Sequence, residues 1–494
     1  MIELLINVPF WLSVAGLIVI VSGGRRALRA GLPDGTIASR IEHAFRPRLV
    51  VALLIAGALS NVGLALCFGY AAPRDMMQDI VSAQQFLEGK PMYPFPMTEL
   101  IREALEKEPA AVSFATWIPG LRAREQRAYE QVITSHWVQA HPPTMTLCTV
   151  PFLAAFGIHG TFLVLSLFSI LALLLIAVML KRGPLSGAKP KDIAIIALGA
   201  AGWYALSDML RLGQSGLFLS ALLIAGWYLI RGGQPVLAGI AVGMATCLKV
   251  FPGLVLVYLL IRHRKAGVAG LTTTVVLGVA TLACVGMGNC RDYFATSRFV
   301  VQTYRAYAEN LSLLSPFAIA ERWLRLPVGS AFVGFLAAAA IVTALLMRRG
   351  RRPYRVRRKE VEFDLEYSRV LSVTLLLTPI CWVHYLPILI LPLAVMGRCV
   401  FDGRVSWGMS CSYAAVLSVL SFPESTVMDG WALLTSTFHG ALGMGSALLW
   451  RSVPTLAMLS LFLLLDRVYR GGGRGDGAPG SQSRLFVHDA YKNG

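Results

Sequence analysis

Two carboxylates four residues apart, Asp75 and Asp79, sit in the stretch RDMMQDIVSAQQFLEGKPMYP, directly after the apolar run VVALLIAGALSNVGLALCFGY. That spacing puts both on one face of a helix. An acid at a helix start is commonly an N-cap or a partner of the helix dipole, worth ~1 kcal/mol. Lining a pocket, it is a general base. Asp79 either lines the same pocket or faces water. Lys249 lies halfway along PVLAGIAVGMATCLKVFPGLVLVYLLIR, with no acid near it in sequence. A lysine within a membrane segment costs roughly 2.5–3.5 kcal/mol and is kept where it pairs or lines a cavity. It reads as an anion binder. His384, alone in LLLTPICWVHYLPILILP, is either a satisfied core histidine or a site residue; the Pro379 break and Trp382 favour a site. Arg211 and Gln214 close a span in DMLRLGQSG, where the arginine either snorkels or binds a ligand. His141 in HPP marks a Pro-set turn, or binds a phosphate or a sugar hydroxyl. Asn310 and Ser312 occupy a loop that also holds Arg291, Arg298, Arg305, Arg322 and Arg325, cations suited to an anionic headgroup.

The elements that carry these residues are apolar helices. The 494 residues are 56% hydrophobic and 15% charged, where a soluble domain is nearer a quarter charged. Apolar runs of about 15–22 residues recur along the chain, and a spanning helix needs ~20. Barrel strands alternate in polarity, which these runs do not. The fold class is therefore an all-α polytopic membrane protein. The net charge of +18 sits in short loops between apolar runs. It reports topology rather than nucleic-acid binding. Eight cysteines show no CxxC and lie mostly inside apolar runs, as small buried hydrophobes. There is no Walker A, no GxGxxG after a strand, no HExxH and no cluster with metal-ligand spacing, which argues against ATP-driven transport and metalloprotease chemistry.

Charge then orients the chain. The segment 23–48 carries Arg25, Arg26, Arg29, Arg40, Arg46 and Arg48 against Asp34 and Glu42, and the positive-inside rule makes it cytoplasmic. KRGPLSGAKPK at 181–191, RHRK at 262–265, RRGRRPYRVRRK at 348–359 and the basic tail follow the same rule. Residues 70–142, 208–214, 288–326, 379–384 and 422–450 then face the extracytoplasmic side, together with almost every polar residue singled out above. The run 142–157 reads as re-entrant or interfacial, because a crossing there would spoil the parity. Segment 235–262, broken at Lys-Val-Phe-Pro, reads as two half-length helices meeting below the membrane surface. About 13 spans result, at ~20 residues each. Two amphipathic helices along the interface are expected in the first loop, in 97–115 and 120–139. The chain divides into an extra N-terminal span with its basic loop (1–48), a transmembrane module (49–405) with its first loop at 70–142, C-terminal spans (406–468) and a flexible Gly-rich tail (469–494).

These residues, in this order, resemble the integral-membrane GT-C glycosyltransferases, specifically glycosyltransferase family 87, whose members use polyprenyl-phosphate mannose or arabinofuranose. DMMQDIVSAQQFLEGKPMYP resembles the family's first-loop pattern of Asp, Ala-rich helix, Leu-x-Gly and Pro-x-Tyr. HPPTMTLCTVPF resembles its Tyr-Pro-Pro segment, with His141 in place of Tyr. RLGQSGLFLSALLIAGWYLIRGGQPVLAGIAVGMATCLKVFPGLVLVYLL resembles its Gly-Gln…Ala-Gly…Leu-Lys-Pro stretch, with Val250 after the lysine. ENLSLLSPF stands where Asn-Gln-Ser-Leu is common, and TPICWVHYLPILILP resembles the Ser-Pro-Ile-Ser-Trp-x-His block.

The resemblance implies an inverting transfer of one sugar, of mannose or arabinofuranose type, from a polyprenyl-phosphate donor to an envelope glycolipid or glycan. It implies Asp75 as the base on the acceptor hydroxyl, and His384, Arg211 and Lys249 as binders of the donor phosphate. Gln214, Asp79, His141, Asn310 and Trp382 follow as further substrate-binding candidates. A single phosphate leaves readily, so no cofactor and no metal ion is expected. The setting is the plasma or inner membrane, with the lipid bilayer and the two substrates as partners and no nucleic acid. The rival readings are a non-enzymatic carrier or flippase of lipid-linked sugars, which needs no base at Asp75, and a ligase using diphosphate-linked oligosaccharides.

Overall fold

The computed structural model describes residues 75–94, 97–107, 138–186, 203–307, 310–347, 359–402, 404–421 and 440–471, with parts of 62–70. The expected N-terminal span and its basic loop, most of the amphipathic stretch 120–139, the basic loop at 348–358 and the tail beyond 471 lie outside them. Every regular element among the described residues is helical, which suits a chain whose backbone must be satisfied within apolar segments.

The first loop supplies α1 (Met76–Leu87) and α2 (Thr98–Lys107). Pro142 and Pro143 then start α3 (Pro143–Lys181), a position where a missing N–H costs nothing. Its backbone leaves helical geometry at Gly157, which divides a short first part from a span-length second part. The segment 142–157, expected to be re-entrant or interfacial, is the helical piece before that kink. Next come α4 (Tyr204–Leu212), α5 (Gly216–Arg231), α6 (Pro235–Leu248) and α7 (Gly253–Arg262). Lys249 stands in the α6–α7 break with an extended backbone (φ −147°, ψ 134°), as the Lys-Val-Phe-Pro interruption predicts. A long α8 (Arg264–Tyr304) bends at Gly286, close to where the charge pattern puts the end of a span. The remainder is α9 (Leu314–Trp323), α10 (Ser330–Met347), α11 (Lys359–Leu377), a 3-10 helix (Val383–Leu389), α12 (Ile390–Phe401), α13 (Trp407–Leu420) and α14 (Gly440–Gly471).

Five segments among the described residues are long and apolar enough to cross a membrane: α3, α8, α10, Val383–Val400 and Leu448–Arg470. Helices α5, α6, α7 and α13 are apolar but shorter. The described residues do not confirm the expected figure of about 13 spans. The chain interrupts its apolar runs at 213–215 and 249–252, and a 10–16-residue helix reaches only about 15–24 Å at 1.5 Å per residue.

Two apolar clusters organise the packing. The larger joins α5, α6, α11, the 3-10 helix, α12 and α14. A smaller one seats Met76, Met77, Ile80 and Val81 of α1 against Ile101 and Leu105 of α2 and Leu153, Ile158 and Phe162 of α3. It is this second cluster that holds α1, with its two carboxylates, at a fixed height. Helices α6 and α8 touch backbone to backbone through Gly239, Gly243 and Gly270, a small-residue contact of the kind apolar solvents favour. A side chain at Gly243 would meet the Gly270 carbonyl at 2.5 Å. Gly243→Leu is expected to force the pair apart and to cost roughly 1–3 kcal/mol, the usual range for overpacking. Thermal unfolding in detergent checks this.

Candidate active site

Asp75 occupies the N-cap position of α1, yet its side chain makes no cap hydrogen bond. Its Oδ2 instead accepts from Gln214 Nε2 at 3.1 Å, and its backbone N–H donates to Leu212 O at 3.1 Å. The start of α1 is thereby laid on the end of α4. Gly213 permits that contact. It ends α4 in the left-handed region (φ 69°), and a Cβ there would lie 2.8 Å from that of Met76.

Gln214 sits in the α4–α5 break and links two opposite charges. Its amide donates to Asp75, while its Oε1 accepts from Lys249 Nζ at 3.4 Å. A carboxylate only accepts and an ammonium only donates, so these partners fix which way the amide faces. Lys249, 5% exposed, also donates to Tyr385 Oη at 3.2 Å and stands 5.0 Å from the centre of that ring. Both Asp79 and Asp75 lie within electrostatic reach of the ammonium. The lysine with no acid near it in sequence has two near it in space.

His384 opens the 3-10 helix and is buried, with its Nε2 lacking a hydrogen-bond partner among the described residues. Buried polar atoms of this kind call for an explanation such as a ligand. Its ring stands edge-on to Tyr385, with centroids 4.6 Å apart, and lies within electrostatic reach of Lys249 and His141. Its backbone carbonyl presses on the start of α5, where a Cβ at Gly216 would come within 2.5 Å of it. Three helix breaks, at 213–215, 249–252 and 378–382, therefore bring Gln214, Lys249 and, just after the third, His384 to one place beside the head of α1.

One turn along α1, buried Asp79 accepts from Gln139 Nε2 at 3.0 Å and pairs with His141 Nδ1 at 2.8 Å. The His141 backbone is held at both ends: its N–H donates to Gln139 Oε1 at 3.2 Å, and its carbonyl accepts from Tyr93 Oη at 2.9 Å. Burial pushes the Tyr93 phenol well above its ordinary range, so it remains a donor.

The other candidates make different contacts. Arg211, on the last turn of α4, pairs with Asp208 at 2.7 Å. Asn310 spends its amide on backbone groups: it donates to the carbonyls of Arg305 and Pro379 and accepts from the N–H groups of Ser312 and Cys381. It clips the loop before α9 to the segment before His384, and so supports the site. Ser312 joins it by donating to Pro379 O. Trp382 packs edge-on against Tyr304. Arg305 pairs with Glu321 at 2.8 Å. That carboxyl is held below its usual range, chiefly by the Ala331 backbone N–H at the start of α10. Tyr385 and Gln139 were not singled out from the sequence; the only signal for each is its place beside a flagged histidine.

Residues 139–379 match the model of glycosyltransferase family 87, just under half of the chain. No curated protein and no solved structure matches. The matched segment contains Gln139, His141, Arg211, Gln214, Lys249 and Asn310. Asp75 and His384 fall outside it, and it is the packing described above that joins them to it. The match indicates a glycosyltransferase.

Proposed function

We propose that the chain, a glycosyltransferase by its match to family 87, moves one sugar with inversion from a polyprenyl-phosphate donor to an envelope glycolipid or glycan on the extracytoplasmic side of the membrane. The observation that carries this reading is the chain of contacts from Asp75 through Gln214 to Lys249 and Tyr385, with the unpartnered His384 Nε2 beside it. A proton acceptor and an anion-holding group stand at the two ends of one amide.

In this mechanism the acceptor hydroxyl oxygen attacks the anomeric carbon while its proton passes to Asp75. The bond from that carbon to the phosphate oxygen breaks, and polyprenyl phosphate leaves with the electron pair. A sugar hydroxyl is a poor nucleophile until a positioned carboxylate takes its proton. The charge that grows on the phosphate is met by Lys249 and His384, preorganised in a buried site. Arg211 is assigned the same role from the last turn of α4. Attack from the face opposite the leaving phosphate inverts the sugar. Mannose and arabinofuranose are both compatible with these residues.

The test is transfer by the purified protein, given a panel of polyprenyl-phosphate sugars and a membrane-lipid extract as acceptor. Transfer of one sugar with inverted anomeric configuration is expected. Binding of donors with no transfer would move the carrier reading to the front. Gln214→Glu sets a second carboxylate against Asp75, and like charges disfavour ionisation. The acidic limb of the pH–rate profile is expected to move to higher pH by roughly one unit or more. An unmoved limb would separate Gln214 from the titrating group.

A further inference from the structure

The Asp79–His141 pair is built as a site, yet the transfer step above does not use it. Asp79 is 2% exposed and His141 5%. Each polar group of the pair is occupied save one. The Asp79 oxygens take Gln139 and His141, and the His141 N–H, carbonyl and Nδ1 take Gln139, Tyr93 and Asp79. Only Nε2 is left without a partner among the described residues. The ring lies within electrostatic reach of His384, and Asp79 of Lys249, so the pair stands beside the other site groups.

The hydrogen bonds also set its polarity. Gln139 must present its NH₂ to Asp79, because its Oε1 already accepts the His141 N–H. Asp79 Oδ1 is then an acceptor, and a carboxylate that also accepts at Oδ2 leaves the hydrogen on His141 Nδ1. With its one hydrogen on Nδ1, a neutral imidazole offers at Nε2 a lone pair and no hydrogen.

We propose that His141, held by Asp79, is a specificity-determining residue that accepts a hydrogen bond from one sugar hydroxyl of a substrate. The inference rests on the sugar-transfer reading of the pocket. It restricts the substrate, because the group at that position has to donate a hydrogen. A hydroxyl fits. A hydrogen, a fluorine or a methoxy group does not. The hydroxyl comes from the donor sugar or from the acceptor glycan, and the two are separated by varying one substrate at a time.

The experiment is equilibrium binding to the purified full chain, at about pH 8, where an ordinary imidazole is neutral. One arm uses polyprenyl-phosphate sugars lacking or fluorinated at single hydroxyl positions. The other uses acceptor glycans altered in the same way. In the wild type, one position of one series is expected to lose about 10²-fold or more with both the deoxy and the fluoro analogue, as sites built around a hydroxyl do. His141→Phe removes that preference. Asp79→Asn is the more specific variant. Its amide oxygen still accepts from Gln139 while its NH₂ donates to Nδ1, which moves the ring hydrogen to Nε2. The parent sugar then still binds, since a hydroxyl also accepts, and the fluoro penalty shrinks. A purely structural role for the pair would not produce that change.

A wild type indifferent to every hydroxyl of both substrates, or binding no sugar at all, would overturn the proposal even if neither variant folds. So would a fluoro penalty equal in the wild type and both folded variants. Transfer without hydroxyl preference removes the contact and leaves the enzyme; hydroxyl preference without transfer removes the enzyme and leaves the contact.

Discussion

Asp75→Asn is expected to slow sugar transfer by roughly 10²–10⁴-fold at saturating substrate, the range a general base contributes, while donor binding survives. The substitution is nearly isosteric. An asparagine oxygen can still accept the hydrogen bond that Gln214 Nε2 makes to Asp75 Oδ2, so the α1–α4 contact and the link to Lys249 persist. What disappears is the capacity to take a proton. The loss therefore belongs in kcat rather than KM, the pattern of an interaction made only in the transition state. Single-turnover transfer and donor binding, measured on the same preparation, check it. Wild-type turnover in the variant would remove Asp75 from the base role. Loss of donor binding together with turnover would make it a binding residue.

The largest effect expected on stability lies far from this pocket. Arg369 of α11 is fully buried and stands 2.7 Å from the Asp466 carboxylate of α14. It also donates to the Leu345 carbonyl at 2.8 Å, near the end of α10, and its guanidinium lies over the Tyr469 ring at 4.4 Å. One side chain thus ties three helices. Breaking such a pair from one side costs roughly 3–5 kcal/mol, because a buried charge is left behind. The two sides are not equivalent. Asp466→Leu strands a cation that cannot lose its proton. Arg369→Met leaves a carboxylate that still has Arg470 beside it and can take a proton if it must. Asp466→Leu is therefore expected to lower the unfolding temperature more than Arg369→Met. The double variant, apolar on both sides, should recover much of the loss. Thermal unfolding of the four proteins in one detergent gives the comparison. Equal stability of Asp466→Leu and wild type would show that the pair contributes nothing.

Much of the architecture was legible because it is local. An apolar run long enough to form a helix, a Pro-Pro start at 142–143, a Lys-Val-Phe-Pro interruption and a glycine where a helix stops are written in neighbouring residues. The helical class and the break at 249–252 followed from them. Asp75, Lys249 and His384 also stood out by type, since ionisable groups against apolar runs are costly unless they are used.

What the sequence alone left open was partnership. The same local rules that make Asp75 an N-cap candidate would have turned its carboxylate onto its own helix; in the fold it faces Gln214, 139 residues away. Asp79 could have faced water and is instead buried against His141. Asn310, a substrate candidate by its position in an external loop, has its amide consumed by backbone. Arg369 and Asp466, within two helices that gave no sign of each other, form one buried ion pair. Helix period and apolar length depend on contiguous residues, so the sequence determined them. Which polar groups meet depends on how three interrupted helices cross at Gly213, Gly216 and the Lys249 break, and only tertiary packing decides that.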